Sequence, residues 1–196
     1  MPVLPIEPKK KRDIKVTAKR LFDEYGFNHI SMSDIGHVAN VSKGTLYKYF
    51  RSKRHLYESV LRDMQEAEIA RVKAILDQDV GFAFKLQEII AVRVARYRET
   101  RQHFFDDEVV YTPQMTEQLE SFQQTKRQLR KTLYALGRKE GYIDPNLSDE
   151  TLELYFDSIE LGLSHRFHDV SRIPTHQLNG FFQMVYAGLI QPYRPR

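Results

Sequence analysis

At 196 residues with 41% hydrophobic side chains, the chain is long enough for one or two domains with a packed core, and a folded, soluble protein is expected. It contains no cysteine, which excludes disulfides and thiolate chemistry and suits a reducing compartment. No run of about 18 apolar residues is present to span a bilayer, and the opening stretch MPVLPIEPKKKR lacks the apolar core of a signal peptide, so a cytoplasmic location and no membrane partner are expected.

The net charge of +4 conceals a split. Residues 1–54 hold 12 Lys and Arg against 5 Asp and Glu, a net of +7, whereas residues 55–196 hold 18 against 21, a net of −3. Positive potential gathered on the first part of the chain is the electrostatic footprint of a phosphate-bearing partner.

In chain order, a proline-broken tail, Met1 to Pro8, leads into the basic run Lys9, Lys10, Lys11 and Arg12, which is either a solvated tail or an arm along a DNA backbone. Ile14, Ala18, Leu21, Phe22 and Tyr25 then recur at i, i+4, i+7, i+8 and i+11, an amphipathic helix that stops at Gly26. Ile35, Val38 and Ala39 at i, i+3 and i+4 give a second, short helix capped by Ser31 or Ser33. Asn40 supplies a left-handed turn residue, Val41 plugs the gap, and Ser42 caps a third helix that begins at Lys43. That helix turns Leu46 and Phe50 inward and leaves Lys43, Gly44, Thr45, Tyr47 and Lys48 outward. Such a face suits the major groove of double-stranded DNA, where the first residues of a helix meet base edges. Gly44 lets the backbone approach closely, and Thr45, Tyr47 and Lys48 offer donors to phosphates. Ser52 caps a fourth helix that runs to about Leu76 on the stripe Leu56, Val60, Met64, Ala67 and Ile75, and Lys53 at its positive end adds a phosphate seat.

Beyond Gly81 the periodicity is helical throughout, with no strand. Phe82, Leu86, Ile89, Ile90 and Tyr97 mark one helix, His103 to Val110 a short one, and Pro113 to Glu140 a long one capped by Thr112 and ended by Gly141 and Asp144-Pro145. Arg93 and Lys126 fall on apolar stripes, so each either faces an internal cavity or is held in an ion pair, with Asp106, Asp107 and Glu108 as candidate acids. Tyr97, Phe105 and Phe122 around them suit a core or an apolar or aromatic small molecule equally. The last two helices, Ser148 to His168 and about Thr175 to Ile190, carry more apolar surface than one core contact needs. Ile159, Leu163 and Phe167 on the first, with Phe181, Phe182, Val185 and Leu189 on the second, are the candidate faces of a homodimer. His165 and His168 stand near a helix end, where imidazolium is stable without a metal, so no metal and no cofactor are expected. No Gly-rich phosphate loop and no Ser/His/Asp arrangement is legible, so no catalytic residues are assigned and an enzyme is not expected.

The stretch from Ser31 to Lys53, SMSDIGHVANVSKGTLYKYFRSK, resembles the helix-turn-helix of the TetR (tetracycline-repressor) family of bacterial transcriptional regulators. The resemblance runs through Ile14, Ala18, Leu21-Phe22, Gly26-Phe27, Ser31, Asp34-Ile35, Ala39, Val41-Ser42, Gly44-Thr45-Leu46-Tyr47, Tyr49-Phe50, Ser52-Lys53 and Leu56. Gly36 departs from it, standing where the family usually has Ala, and Asn40 stands where Gly is common. The resemblance implies an all-α protein with an N-terminal three-helix helix-turn-helix domain and basic tail, residues 1–54, and a helical effector-binding and dimerisation domain, residues 55–196. It also implies a repressor that an unknown small-molecule effector releases from a pseudo-palindromic DNA operator. The alternative is an all-helical interaction or ligand-binding protein without sequence-specific DNA binding.

Overall fold

Eight α-helices and no strand make up the described residues, 7–99, 112–165 and 173–187, of the computed structural model. They are α1 (Lys9–Tyr25), α2 (Met32–Val38), α3 (Lys43–Tyr49), α4 (Lys53–Leu76), α5 (Phe82–Glu99), α6 (Pro113–Lys139), α7 (Asp149–His165) and α8 (Thr175–Ala187). The all-α architecture expected from periodicity is thus the observed one among these residues. The short helix expected at His103 to Val110, and the ends of the last two helices beyond His165 and Ala187, lie outside them.

Local chemistry sets most boundaries. α1 ends where Gly26, at φ 82°, donates its N–H to Phe22 O at 2.9 Å. α2 opens on a reciprocal cap: Asp34 N–H reaches Ser31 Oγ at 3.2 Å while Ser31 N–H reaches Asp34 Oδ2 at 2.8 Å, so Ser31 rather than Ser33 is the cap. Asn40 takes the left-handed conformation at φ 52°, as its place in the turn requires. Ser42, Ser52, Thr112 and Ser148 each accept a backbone N–H three residues on, from Thr45, His55, Met115 and Thr151 at 3.1–3.2 Å.

The described residues pack as two units, 7–66 with 112–116 and 67–99 with 117–165 and 173–187, so the division falls within α4. In the first, α1 packs on α2 and α2 on α3. Ile14, Ala18, Leu21 and Phe22 meet Ile35, Leu46, Phe50, Leu56 and Tyr57 in a sealed core, while Tyr25 is half exposed. Tyr57 sets its ring edge-on to Phe22 and Phe27, with centroids 5.4 and 5.2 Å away. Lys15 is buried in this unit and bridges Glu7 at 2.8 Å and Asp63 at 2.5 Å.

The second unit is built on Ile75, Phe82, Leu86, Ile89, Ile90, Val94, Leu133, Tyr134, Ile143, Leu152, Phe156, Leu163, Leu178 and Phe182, with α5 packed on α8. Helix ends are tied here by side chains distant in sequence: Lys85 Nζ donates to Leu76 O at 2.6 Å, and Phe82 N–H donates to Glu140 Oε2 at 2.9 Å. Gly137 is required by packing, because a Cβ there would stand 2.7 Å from both Phe82 Cε2 and Ile143 Cδ1. Of the stripe expected along α4, Leu56, Val60 and Ile75 are buried and Ala67 is exposed, at the residue where the helix passes from one unit to the other.

Candidate nucleic-acid interface and buried polar cluster

The outward face of α3 is fixed by its inward one. Leu46 and Phe50 are fully enclosed, and Ser42 holds the first turn through Thr45 N–H, with the two hydroxyls 3.0 Å apart. Lys43, Gly44, Tyr47 and Lys48 are exposed as a result and Thr45 is half-buried; Tyr47, an aromatic with 44% of its surface open, has no role in the core. α2 and α3 pack together beside Gly36, where a Cβ would lie in ordinary contact, 3.4 Å from Leu46 Cδ2 and 3.5 Å from Val41 O. Between the two helices lies a depression of about 500 Å³ whose rim includes Ser33 and His37 of α2 beside Lys43 and Tyr47 of α3. Neither Ser33, read from the sequence only as a possible cap, nor His37 was singled out for the DNA-facing surface, although both are exposed and their i, i+4 spacing puts them on one face of α2.

Lys53 is placed differently from the other candidates. Its Nζ donates to the carbonyls of Phe27 and Ile30, each at 2.7 Å, and stands 4.4 Å from the centre of the Phe27 ring. Burial lowers its pKa from the usual lysine value. Two of its three donors therefore tie down the loop between α1 and α2. Part of the basic excess is likewise spent inside the unit, with Lys11 on Glu7 at 3.2 Å, Lys19 on Asp23 at 2.7 Å and Arg20 on Glu24 at 3.2 Å. Lys9, Lys10 and Arg12 remain exposed at the start of α1, and Lys43, Lys48 and Arg51 remain exposed at and just after α3.

A second polar concentration is buried in the other unit. Glu160 of α7 accepts from Arg93 Nη1 at 2.5 Å and from Lys126 Nζ at 2.7 Å on both of its oxygens. Arg130, one turn beyond Lys126, pairs with Glu153 and with Asp157, the latter at 2.9 Å. Arg96 pairs with Glu68 at 3.1 Å. Arg93, Lys126 and Arg130 form part of the wall of a cavity of about 30 Å³ that is otherwise lined by Glu68, Ile69, Val72, Ile89, Leu129, Leu133, Tyr134 and Phe156. The alternatives of cavity or ion pair for Arg93 and Lys126 thus coexist, with Glu160 as the acid; Asp106, Asp107 and Glu108 lie outside the described residues. Burial and then the neighbouring Arg93 bring Lys126 down to about 8, against the pull of Glu160. Burial alone would raise Glu160, but Arg93 and Lys126 outweigh it and hold the carboxyl far below its ordinary range. Phe122 is buried, its ring centre 5.3 Å from Lys126 Nζ. The side chain of Tyr97, and Phe105, lie outside the described residues. Glu160 and Arg130 were missed in the sequence, yet Glu153, Asp157 and Glu160 at i, i+4 and i+7 form an acidic stripe on α7 that was there to be read.

Among the candidate dimer residues, Leu163 and Phe182 are enclosed by the core of their own unit, and Ile159, Phe181 and Val185 pack partly against it. Phe167 and Leu189 lie outside the described residues. The apolar side chains that these two helices leave open are Leu154 and Leu161 on α7 and Met184 on α8, each at least 60% exposed. Among the described residues no group of three His, Asp or Glu is gathered to hold a metal, and no helix is long and apolar enough to cross a membrane. His168, and the side chain of His165, lie outside them.

Residues 14–60 match the family model described as bacterial regulatory proteins, tetR family. The chain is similar to the HTH-type transcriptional repressor KstR2 of Mycolicibacterium smegmatis, 29% identical over 111 residues that cover 56% of this chain and 52% of that protein. It spans about half the length of the curated relatives it matches. Among solved structures it resembles the fatty acid degradation regulator FadR from Bacillus halodurans, with a TM-score of 0.76 at 16% identity over 98% of this chain and 100% of that one. It also resembles FadR from Bacillus subtilis in complex with stearoyl-CoA, with a TM-score of 0.72 at 16% identity over 93% and 99% of the two chains. At these identities the likeness is one of fold, and it extends well beyond the matched helix-turn-helix into the helices that follow.

Proposed function

We propose that this chain, whose residues 14–60 match the tetR family of bacterial regulatory proteins, is a homodimeric transcriptional repressor which binds a pseudo-palindromic operator in double-stranded DNA and is released by a small-molecule effector. The observation that carries the reading is α3. Its inward side chains are sealed, its first turn is capped, and its exposed face offers Lys43, Gly44, Tyr47 and Lys48 together, beside Ser33 and His37 of α2. A short helix presented in this way meets base edges with its first residues and phosphates with its flanks. Residues 1–54 are read as the DNA-binding part and residues 55–196 as the effector-binding and dimerisation part, acting in the cytoplasm where operator DNA lies.

The effector site is assigned to the cavity beside Arg93 and Lys126, which combines apolar walls with a few convergent polar groups. α4 supplies the route from ligand to DNA. Leu56 and Tyr57 near its start belong to the core under the helix-turn-helix, and Glu68, Ile69 and Val72 further along belong to the cavity wall. A ligand that displaces the wall acts on the same helix and changes the spacing of the two α3 helices in the dimer. A coupling of about 1–3 kcal/mol lowers operator affinity roughly 5- to 150-fold, and operator must lower effector affinity by the same factor. The dimer is assigned to α7 and α8, whose open apolar side chains are Leu154, Leu161 and Met184.

The test begins with selection of duplexes by the purified protein, followed by titration of the selected sequence at increasing salt. Sequence-selective binding that weakens steeply with salt is expected. Failure of any duplex to be selected overturns the assignment of α3 as a reader.

A further inference from the structure

The effector reading leaves the chemistry of the ligand open, and the arrangement around Glu160 narrows it. Resting on that reading, we infer that the polar end of the cavity receives the carboxylate of an otherwise apolar small molecule, and that Glu160 is the chain's own stand-in for it.

Lys126 and Arg130 are 6% and 7% exposed, so two cations have been carried into a largely apolar interior. Such burial is tolerable only with an anion at hydrogen-bond distance. Glu160 supplies it for Lys126 and Arg93 through both of its oxygens. Arg130 is served incompletely: Nε and Nη2 are engaged by Glu153 and Asp157, but its buried Nη1 makes no hydrogen bond and stands 3.7 Å from Glu160 Oε1. A buried guanidinium N–H without an acceptor is costly, and this one faces the oxygen that Arg93 and Lys126 already share.

A carboxylate arriving here takes over the hydrogen bonds of Glu160 like for like and brings an oxygen for Arg130 Nη1 as well. The exchange leaves the buried charge unchanged as Glu160, 18% exposed at its side chain, turns out to solvent, so the desolvation of the cations has already been met by the fold. Charge selects against a phosphate monoester, which would bring nearly two negative charges and three acceptor oxygens where Glu160 supplies one charge and two oxygens. The apolar wall takes the rest of the molecule once it parts, and Ile69, Val72 and Leu129 are only partly buried and have room to turn.

Octanoate, octanol and octyl phosphate, added to the full chain, separate these features. Octanoate is expected to raise the melting temperature of the wild type, and octanol and octyl phosphate to leave it unchanged. Glu160→Gln should melt lower than wild type, be restored by octanoate, and bind it about tenfold more tightly because the internal competitor is gone. Lys126→Met combined with Glu160→Gln removes the Lys126–Glu160 pair while leaving Arg93 and Arg130 in place, and should bind octanoate about tenfold more weakly than Glu160→Gln alone. Equal effects of octanoate and octanol, an equal effect of octyl phosphate, or octanoate affinity in the double variant equal to that of Glu160→Gln overturns the inference. Operator release is measured separately: octanoate that binds through Lys126 yet leaves operator affinity unchanged refutes the effector role and leaves the carboxylate assignment standing.

Discussion

Lys53 donates to the carbonyl of Phe27 at 2.7 Å while its ammonium sits 4.4 Å from the centre of the same residue's ring. A lysine at a helix start beside a DNA-reading helix is ordinarily read as a phosphate contact. Here the bond to Phe27, with its twin to Ile30, makes Lys53 a clamp on the loop ahead of α2. Lys53→Met should therefore lower stability by about 2 kcal/mol, as loss of hydrogen bonds from a charged donor does. Lys43→Ala should leave stability unchanged and relax preference at one base pair by about 1–3 kcal/mol. Melting curves and DNA titrations of both variants check the division of roles. A Lys53→Met protein that melts like wild type but shows a salt slope reduced by about one would put Lys53 on a phosphate after all.

Gly36 is a second departure from expectation that can be probed. Its φ is not left-handed, and the Cβ of an alanine would meet Leu46 Cδ2 at 3.4 Å, within ordinary contact. Gly36→Ala should stabilise the protein by up to about 1 kcal/mol through helix propensity. Chemical denaturation would show the midpoint rise; a fall would mean that α2 and α3 have no slack between them.

The dimer is best tested on the side chains left open. Leu161→Glu and Met184→Glu place carboxylates on exposed positions of α7 and α8, so each chain should fold normally as a monomer. Sedimentation should show dissociation, with operator binding weakened because two half-sites are no longer held together. Charge at Leu163 or Phe182 would be uninformative by comparison, since both lie in the core and such variants unfold. Intact dimers in both exposed-face variants would move the interface elsewhere.

Lys126 gives a pH signature. Burial first and Arg93 second bring it to about 8 in the folded chain, below the usual 10.5. Between those values the unfolded chain binds a proton that the folded chain does not, so this group's contribution to stability rises as pH goes from about 8 to 10.5. Glu160 works in the acid window: its folded pKa is depressed, so its stabilisation is present above the usual 4.5 and is lost as pH falls below it. Denaturant unfolding across pH 7 to 10 should show a rise in wild type that is missing from Lys126→Met. Parallel pH profiles for the two proteins would contradict the assignment.

What could be read from the sequence was what is encoded locally. Ser31, Asn40, Ser42, Ser52 and Thr112 act within three or four residues of themselves, so the caps and turns they form, and most helix limits with them, were visible in the chain alone. Lys53 was not legible in this way, because its partners are backbone carbonyls 26 and 23 residues away and carry no residue signature. Glu160 meets Arg93 across 67 residues and Lys126 across 34, a choice among many acids that packing alone makes. α7 is apolar on two faces, and periodicity does not say which is interior; the fold encloses Leu163 and leaves Leu154 and Leu161 open.

Gly137 extends the account to descent. The hydrogen atom it carries in place of a side chain is what lets Phe82 and Ile143 close over α6, so these three positions are free to vary only together. A homologue with alanine or serine at 137 should carry a smaller residue at 82 or 143, and a homologue that keeps both bulky neighbours should keep the glycine. Covariation at this triplet would then trace inheritance of the helical unit independently of the helix-turn-helix, and could be sought in chains whose DNA-reading residues have diverged beyond recognition.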